Sequence, residues 1–379
     1  MRSPVALLLA ALSAAAALAH AASPPATFSP LSQTTLAQLA RPAPADFDIR
    51  TGAVLAPILV PRVPGTPGSA AVQAHLMRFF AAHLPAWRVA WHNSSAPTPL
   101  SHGRAVPFAS LIATRDPPWA APADVGRIVL AAHYDSKLTP AGFVGATDSA
   151  VPVALLLHAA RAADAALARR WARLPRGAAR DAERGVQLLL LDGEEAWAQW
   201  SDADSLYGAR ALAAHWEQAH HAQPAARRNH LANIDLFVLL DLLGATAPRI
   251  ASYFPTTHWA YAGFAAVEGQ MREEGLFKSH QKHPDPWFYE GDAKIAASSY
   301  HGAIEDDHVP FMHRGVDILH VIPAPFPAVW HTPEDDGEHL DMDTVGDWGI
   351  LLTGWLIGAL GLEDDWDGKI AKRSFKTEL

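Results

Sequence analysis

Arg127-Ile128-Val129-Leu130-Ala131-Ala132 is a nearly continuous apolar run of strand length, and His133-Tyr134-Asp135-Ser136-Lys137 follows it at once. A short run without polar alternation reads as a strand buried on both faces, as in a parallel sheet covered by helices. Similar runs lie at 186–191, 236–240 and 318–322, while helical patterns occupy 70–83, 151–174, 207–220 and 258–274. This alternation predicts an α/β sandwich: a single domain with a central, mostly parallel mixed sheet flanked by helices. The Pro-rich segments 57–67 and 323–333 are short and carry large apolar residues, so they read as ordered loops within that domain. No internal repeat of fixed period is visible.

The chain has 379 residues, 50% hydrophobic and 18% charged, which suffices for a large core. The absence of cysteine excludes a thiolate nucleophile, a disulfide framework, a zinc ribbon or finger and an iron–sulfur cluster. With 20 His and 39 Asp+Glu, any metal must sit on nitrogen and oxygen. A net charge of -9 without a long basic run argues against nucleic acid and anionic membranes as partners.

Both ends carry apolar stretches. Met1-Arg2, an apolar run over 5–19 and Ala19-His20-Ala21 read as a cleaved secretory signal, residues 1–21. Residues 22–379 then form one domain with its core at about 50–363. The product would be secreted or held in the lumen of the secretory pathway, with no membrane association after cleavage. The glycine-interrupted stretch 348–362, flanked by Asp347 and Glu363, reads as a core helix. A sequon, Asn93-Ser94-Ser95, beside Pro97 and Pro99, is expected on a surface loop open to glycosylation.

Chemistry gathers where the strands end. His133 and Asp135 follow the first run, Asp192-Gly193-Glu194-Glu195 the second, Asp241 the third, and Trp330-His331 the fourth after a proline stretch. Ligands in open α/β sheets bind outside the carboxyl ends of strands, so these groups should meet at one edge. Singly, each has an ordinary structural reading: Asp148 or Ser149 caps the helix that follows, Glu194-Glu195 is a solvated loop, and His331 packs on Trp330. Jointly, Asp, Glu and His from separate strand ends suit a zinc site of three protein ligands with an open fourth position, and a second Glu remains for proton transfer.

Several stretches carry a resemblance. They are Arg62-Val63-Pro64-Gly65-Thr66-Pro67-Gly68, His133-Tyr134-Asp135-Ser136-Lys137, Val144-Gly145-Ala146-Thr147-Asp148-Ser149-Ala150-Val151-Pro152, Asp192-Gly193-Glu194-Glu195-Ala196, Asp204-Ser205-Leu206-Tyr207-Gly208, Leu239-Leu240-Asp241-Leu242, Asp306-Asp307-His308-Val309-Pro310-Phe311, and Pro325-Phe326-Pro327 with Val329-Trp330-His331-Thr332. In this order the chain closely resembles the glutaminyl-peptide cyclotransferases, which share their fold with zinc aminopeptidases of the M28 clan. The resemblance implies one zinc ion per chain on Asp148, Glu195 and His331, with Glu194 shuttling a proton. It also implies an acidic pair, Asp241 and Asp306, supported by Ser149 and His320, and a pocket of Trp200, Ile304, Phe326 and Trp330. The implied substrates are peptides or proteins with N-terminal glutamine, the implied product is pyroglutamate with release of ammonia, and the implied state is a monomer.

A dinuclear zinc aminopeptidase is the rival, because His133 could serve as a second-metal ligand alongside Asp148, Glu195, Asp241 and His331. Ser149 after Asp148, where peptidases usually carry Asp or Asn, favours the cyclase, as do Trp330 and the stretch Asp306-Asp307-His308. Two features depart from the cyclase pattern. Glu305 stands where the family usually has an amide, adding a third acid beside Asp306 and Asp307. The disulfide of the animal secreted enzymes cannot form here. A binding module with a dead site would need a ligand or Glu194 to be missing, and none is.

Overall fold

The computed structural model describes residues 28, 30–174, 184–292 and 304–369. Residues 1–21, assigned to a signal, lie outside them. Among the described residues the strands are β1 (Arg88–Pro97), β2 (Ala105–Arg115), β3 (Arg127–His133), β4 (Gly185–Leu191), β5 (Ile234–Leu240) and β6 (Ile318–Val321), in one sheet of order β1-β2-β4-β3-β5-β6. β4, β3, β5 and β6 are parallel neighbours; β1 and β2 extend the sheet antiparallel beyond β4. The helices are α1 (Gln33–Ala37), α2 (Pro44–Phe47), α3 (Pro67–His83), α4 (Val151–Arg173), α5 (Tyr207–Gln218), α6 (His258–Glu273), α7 (Val309–Met312) and α8 (Met342–Leu360).

Side chains alternate across each central strand and so feed two cores. Ile128, Leu130 and Ala132 of β3 face a core shared with α3, α4, α6 and α8, whereas Val129 and Ala131 face α5 and α7. Every residue of β3 and β4 is buried, which is why both read as unbroken apolar runs.

The stretch at 348–362 belongs to α8, whose Trp348 and Trp355 are fully buried. Trp355 stacks on Phe264 of α6 at 4.6 Å and its Nε1 donates to the Ala260 carbonyl at 3.0 Å. Gly349 lets the helix approach Pro42, since a Cβ there would lie 2.3 Å from the proline ring. Among the described residues, one helical stretch, Ala146–Arg173, is long and apolar enough to cross a membrane, and 89% of its apolar window is buried inside the fold.

Four local readings are corrected. Asn93 lies on edge strand β1, opposite Ala109, rather than in a loop, although its side chain is exposed. β1 and β2 themselves did not stand out as strands, because His92-Asn93-Ser94-Ser95 breaks any apolar run and β1 has no fully buried position. Neither Asp148 nor Ser149 caps α4: its N-cap is Ala150, without a side-chain cap bond. The helix at 70–83 begins earlier, at Pro67, where proline's missing N–H costs nothing and the Thr66 hydroxyl accepts from the Ser69 N–H at 3.4 Å.

Candidate active site

The carboxyl ends of β3, β4, β5 and β6 bring the expected residues to one edge. At the end of β3, His133 and Asp135 are buried, and the Asp135 carboxylate accepts from the Glu194 N–H at 3.1 Å and the Glu195 N–H at 3.3 Å. This fixes the turn that follows β4. Gly193 enables the turn: it has φ 76°, and a Cβ would sit 2.3 Å from the Phe108 ring. Glu194 and Glu195 are therefore buried, 6% and 4% exposed, and not a solvated loop. Downstream, the Asp204 carboxylate accepts from the N–H groups of Trp197 (2.9 Å), Ala198 (2.8 Å) and Gln199 (2.9 Å) and from the Tyr207 hydroxyl (2.8 Å). It thereby shapes the loop that presents Trp200.

Asp148 follows the 144–147 loop, which is pinned from both sides. Arg62, fully buried, donates to the carbonyls of Tyr134, Val144, Gly145 and Asp148. Asp335 accepts from the Thr147 N–H at 2.7 Å, and its own carboxyl is pushed up to about 7 by burial and by Asp148.

Ligand atoms of Asp148, Glu195 and His331 all lie within 4.8 Å of one another. His331 Nε2 is 3.4 Å from Asp148 Oδ2 and 3.7 Å from Glu195 Oε2. Asp148 Oδ2 and Glu195 Oε1 are buried without a hydrogen-bond partner. Two carboxylates and an imidazole converging with unpaired oxygens fit a divalent metal ion of nitrogen and oxygen preference. Lys137 Nζ, 3.2 Å from Glu195 Oε2, is the nearby cation.

A second cluster shares Asp148. His133 Nε2 lies 3.0 Å from Asp148 Oδ1 and 3.4 Å from Asp241 Oδ1. Burial opposes protonation of His133, yet Asp135, Asp148 and Asp241 together raise its pKa well above the ordinary value. Ser149 Oγ donates to Asp241 Oδ1, and His320 Nε2 pairs with Asp306 Oδ2 at 2.8 Å. Burial, followed by the charge of Asp306, raises the Asp241 carboxyl. Burial also acts upward on Asp306, but the His320 hydrogen bond and neighbouring imidazoles hold it below the ordinary value. The two buried acids thus differ in proton affinity. Glu194 is pushed well up, chiefly by burial, with Asp306, Glu195 and Asp307 adding and His133 opposing.

Trp200, Ile304, Phe326 and Trp330 line the same cavity, about 520 Å³, as Asp148, Glu194, Glu195, Asp241 and His331. Trp330 stacks on His331 at 3.9 Å and meets Phe326 edge-on at 4.8 Å. Ser149, Asp306 and His320 stand behind this lining through their bonds. Glu305 is exposed and accepts from Trp200 Nε1 at 2.9 Å, so it points away from the buried pair Asp306 and Asp307. Sequence reasoning gave no role to Arg62, Asp135, Asp204 or Asp335. For Arg62, Asp135 and Asp204 the signal was only position inside a site stretch, and Asp335 lay outside any; each acts chiefly on backbone groups, for Arg62, Asp135 and Asp335 mostly ones distant in sequence.

Comparison with known proteins agrees with this geometry. Residues 117–355 match the model of peptidase family M28. A glutaminyl-peptide cyclotransferase of Bos taurus is 38% identical over 81% of this chain and 81% of its own, and a glutaminyl-peptide cyclotransferase-like protein of Mus musculus is 40% identical over 82% and 75%. The crystal structure of Macrostomum lignano glutaminyl cyclase superposes with a TM-score of 0.70 at 29% identity, covering 88% of this chain and 95% of that one. The chain belongs to peptidase family M28 and, within it, to the glutaminyl-peptide cyclotransferases.

Proposed function

We propose that this protein converts the N-terminal glutamine of peptides or proteins to pyroglutamate with release of ammonia, using one zinc ion on Asp148, Glu195 and His331. The observation carrying this reading is that Glu194, the Asp148–Glu195–His331 cluster and an indole-walled pocket face one cavity. When bound, zinc supplies Lewis acidity toward the glutamine γ-carbonyl.

The chain's residues account for the rest. Trp200, Ile304, Phe326 and Trp330 hold the side chain folded so that the α-amine meets its own side-chain amide carbon, Cδ, and they keep water out. Glu194 takes a proton as the N–Cδ bond forms and returns it to the amide nitrogen as the Cδ–Nε bond breaks, so ammonia leaves neutral. Its raised proton affinity suits both halves of that transfer. Asp241, held by Ser149, orients the amine, with Asp306 and its partner His320 standing behind the lining.

The discriminating experiment is incubation with a short Gln-initiated peptide, following free ammonia and a product lighter by one ammonia. A dinuclear peptidase is the second reading, favoured by the His133–Asp148–Asp241 cluster. It requires release of amino acids and two metal ions per chain. The Ser149 hydrogen bond on Asp241 Oδ1 engages an oxygen that a second ion would need, and this supports the single-ion reading. We further propose that residues 1–21 are a secretory signal preceding one monomeric catalytic unit. N-terminal sequencing of exported protein and its mass in solution test both points.

A further inference from the structure

A second cavity of about 540 Å³ adjoins the reaction cavity, and Ile304 and Glu305 line both. Its size is that of a ligand site. His308 lines it, 2% exposed, and His308 Nδ1 has no hydrogen-bond partner.

The charges around the shared wall are unequally committed. Arg314 is paired with Glu217 at 2.9 Å and Lys137 on the reaction side is paired with Glu195, whereas Arg210 lies over the Tyr207 ring and donates to the neutral Asp202 carbonyl at 2.5 Å, so its charge is drawn away from the Glu305 wall without being balanced by an acid. The carboxylates of Glu305 and Asp202 are exposed. Glu305 has one oxygen held by the Trp200 indole, which orients the carboxylate on the boundary between the cavities.

We propose that the second cavity binds the residues following the N-terminal glutamine, and that Glu305 selects a cationic side chain, Lys or Arg, at the first or second of them. The proposal rests on the cyclisation reading of the neighbouring cavity. A partly exposed ion pair gives a modest preference, about two- to five-fold in kcat/KM, and one that salt weakens.

The test compares Gln-Lys-Ala, Gln-Ala-Lys, Gln-Ala-Ala and Gln-Glu-Ala amides at low and high salt, in the wild type and in Glu305→Gln. The Gln side chain still offers an oxygen to the Trp200 indole, so the variant removes charge while keeping an acceptor. The expected result is a low-salt advantage of the cationic over the neutral peptide that collapses to about one in Glu305→Gln, whatever that variant does to the neutral rate. Equal rates on all four peptides, or a preference unchanged in Glu305→Gln, would overturn Glu305's role. Filling the cavity with Met312→Trp should raise KM for tripeptides more than for a glutaminyl dipeptide; an equal effect on both overturns the cavity assignment. No turnover of any Gln-initiated peptide, Gln-Ala-Ala included, overturns the cyclisation reading together with this inference.

Discussion

Arg62 Nη2 donates to the Asp148 carbonyl at 3.3 Å, the backbone of a residue whose side chain faces the metal cluster, and to the Gly145 carbonyl at 2.9 Å. The same guanidinium reaches Tyr134 and Val144, so one side chain ties the end of β3 to the 144–148 loop. Burial lowers its pKa to about 10, with Asp135, Asp148 and Asp335 opposing, which leaves it charged at neutral pH. Arg62→Met strips five carbonyls of a donor, those of Val60, Tyr134, Val144, Gly145 and Asp148. A loss of at least about 3 kcal/mol in stability is expected. Lysine cannot span that fan of acceptors. Arg62→Lys should therefore also weaken zinc binding, measured by competition with a chromophoric chelator. Wild-type zinc affinity in Arg62→Lys would show that the loop holds Asp148 unaided.

Glu194 contributes to the reaction cavity but not to the Asp148–Glu195–His331 cluster, so the two roles can be separated. Glu194→Gln keeps size and polarity but loses the group that can take up and release a proton. A fall in kcat of about 10²–10⁴-fold is expected, with zinc content unchanged and KM moved little. A variant retaining more than about a tenth of wild-type kcat would remove Glu194 from proton transfer.

The clusters that share Asp148 make metal counting decisive. Under the single-ion reading, Asp148→Ala and His331→Ala abolish zinc retention, whereas His133→Asn keeps one equivalent. Elemental analysis after gel filtration measures this directly. Two equivalents in the wild type, falling to one in His133→Asn, would support the dinuclear reading instead. Chelation should silence the enzyme in either case, and added zinc should restore it.

The central strands could be read in the sequence because burial on both faces leaves an unbroken apolar run, as in β3 and β4. The edge could not, because β1 is partly exposed along its length and His92-Asn93-Ser94-Ser95 resembles a loop. Strand-end residues such as Glu195 and Asp241 were legible for a topological reason: parallel strands deliver their carboxyl ends to one side. What holds them was not. Asp135 and Asp204 bond backbone N–H groups 5–60 residues away, and nothing in the local sequence distinguishes such an acid from a turn residue. Glu305 was misleading for the opposite reason. Its neighbours Asp306 and Asp307 are buried, yet its own carboxylate turns outward to the Trp200 indole.

Away from the site, His158 sets an acid sensitivity of the fold. It lies on α4, 1% exposed, edge-on to Phe47 at 5.9 Å. Burial, then the charge of Arg161, pushes its pKa down to about 4, with Asp46 and the Ala40 carbonyl opposing. In the unfolded chain the value is about 6.5. Between those values the unfolded chain takes up a proton that the folded chain does not. Stability is therefore full above about pH 6.5, falls as the pH drops, and has lost this contribution near pH 4, a total of about 3 kcal/mol. His158→Leu removes the titrating group and should flatten the dependence of the urea midpoint on pH between about 6.5 and about 4.5. His230, pushed to about 4 mainly by burial, remains in the variant, so the slope is reduced and not abolished. Identical slopes for the two proteins would mean that His158 is charged in the folded state.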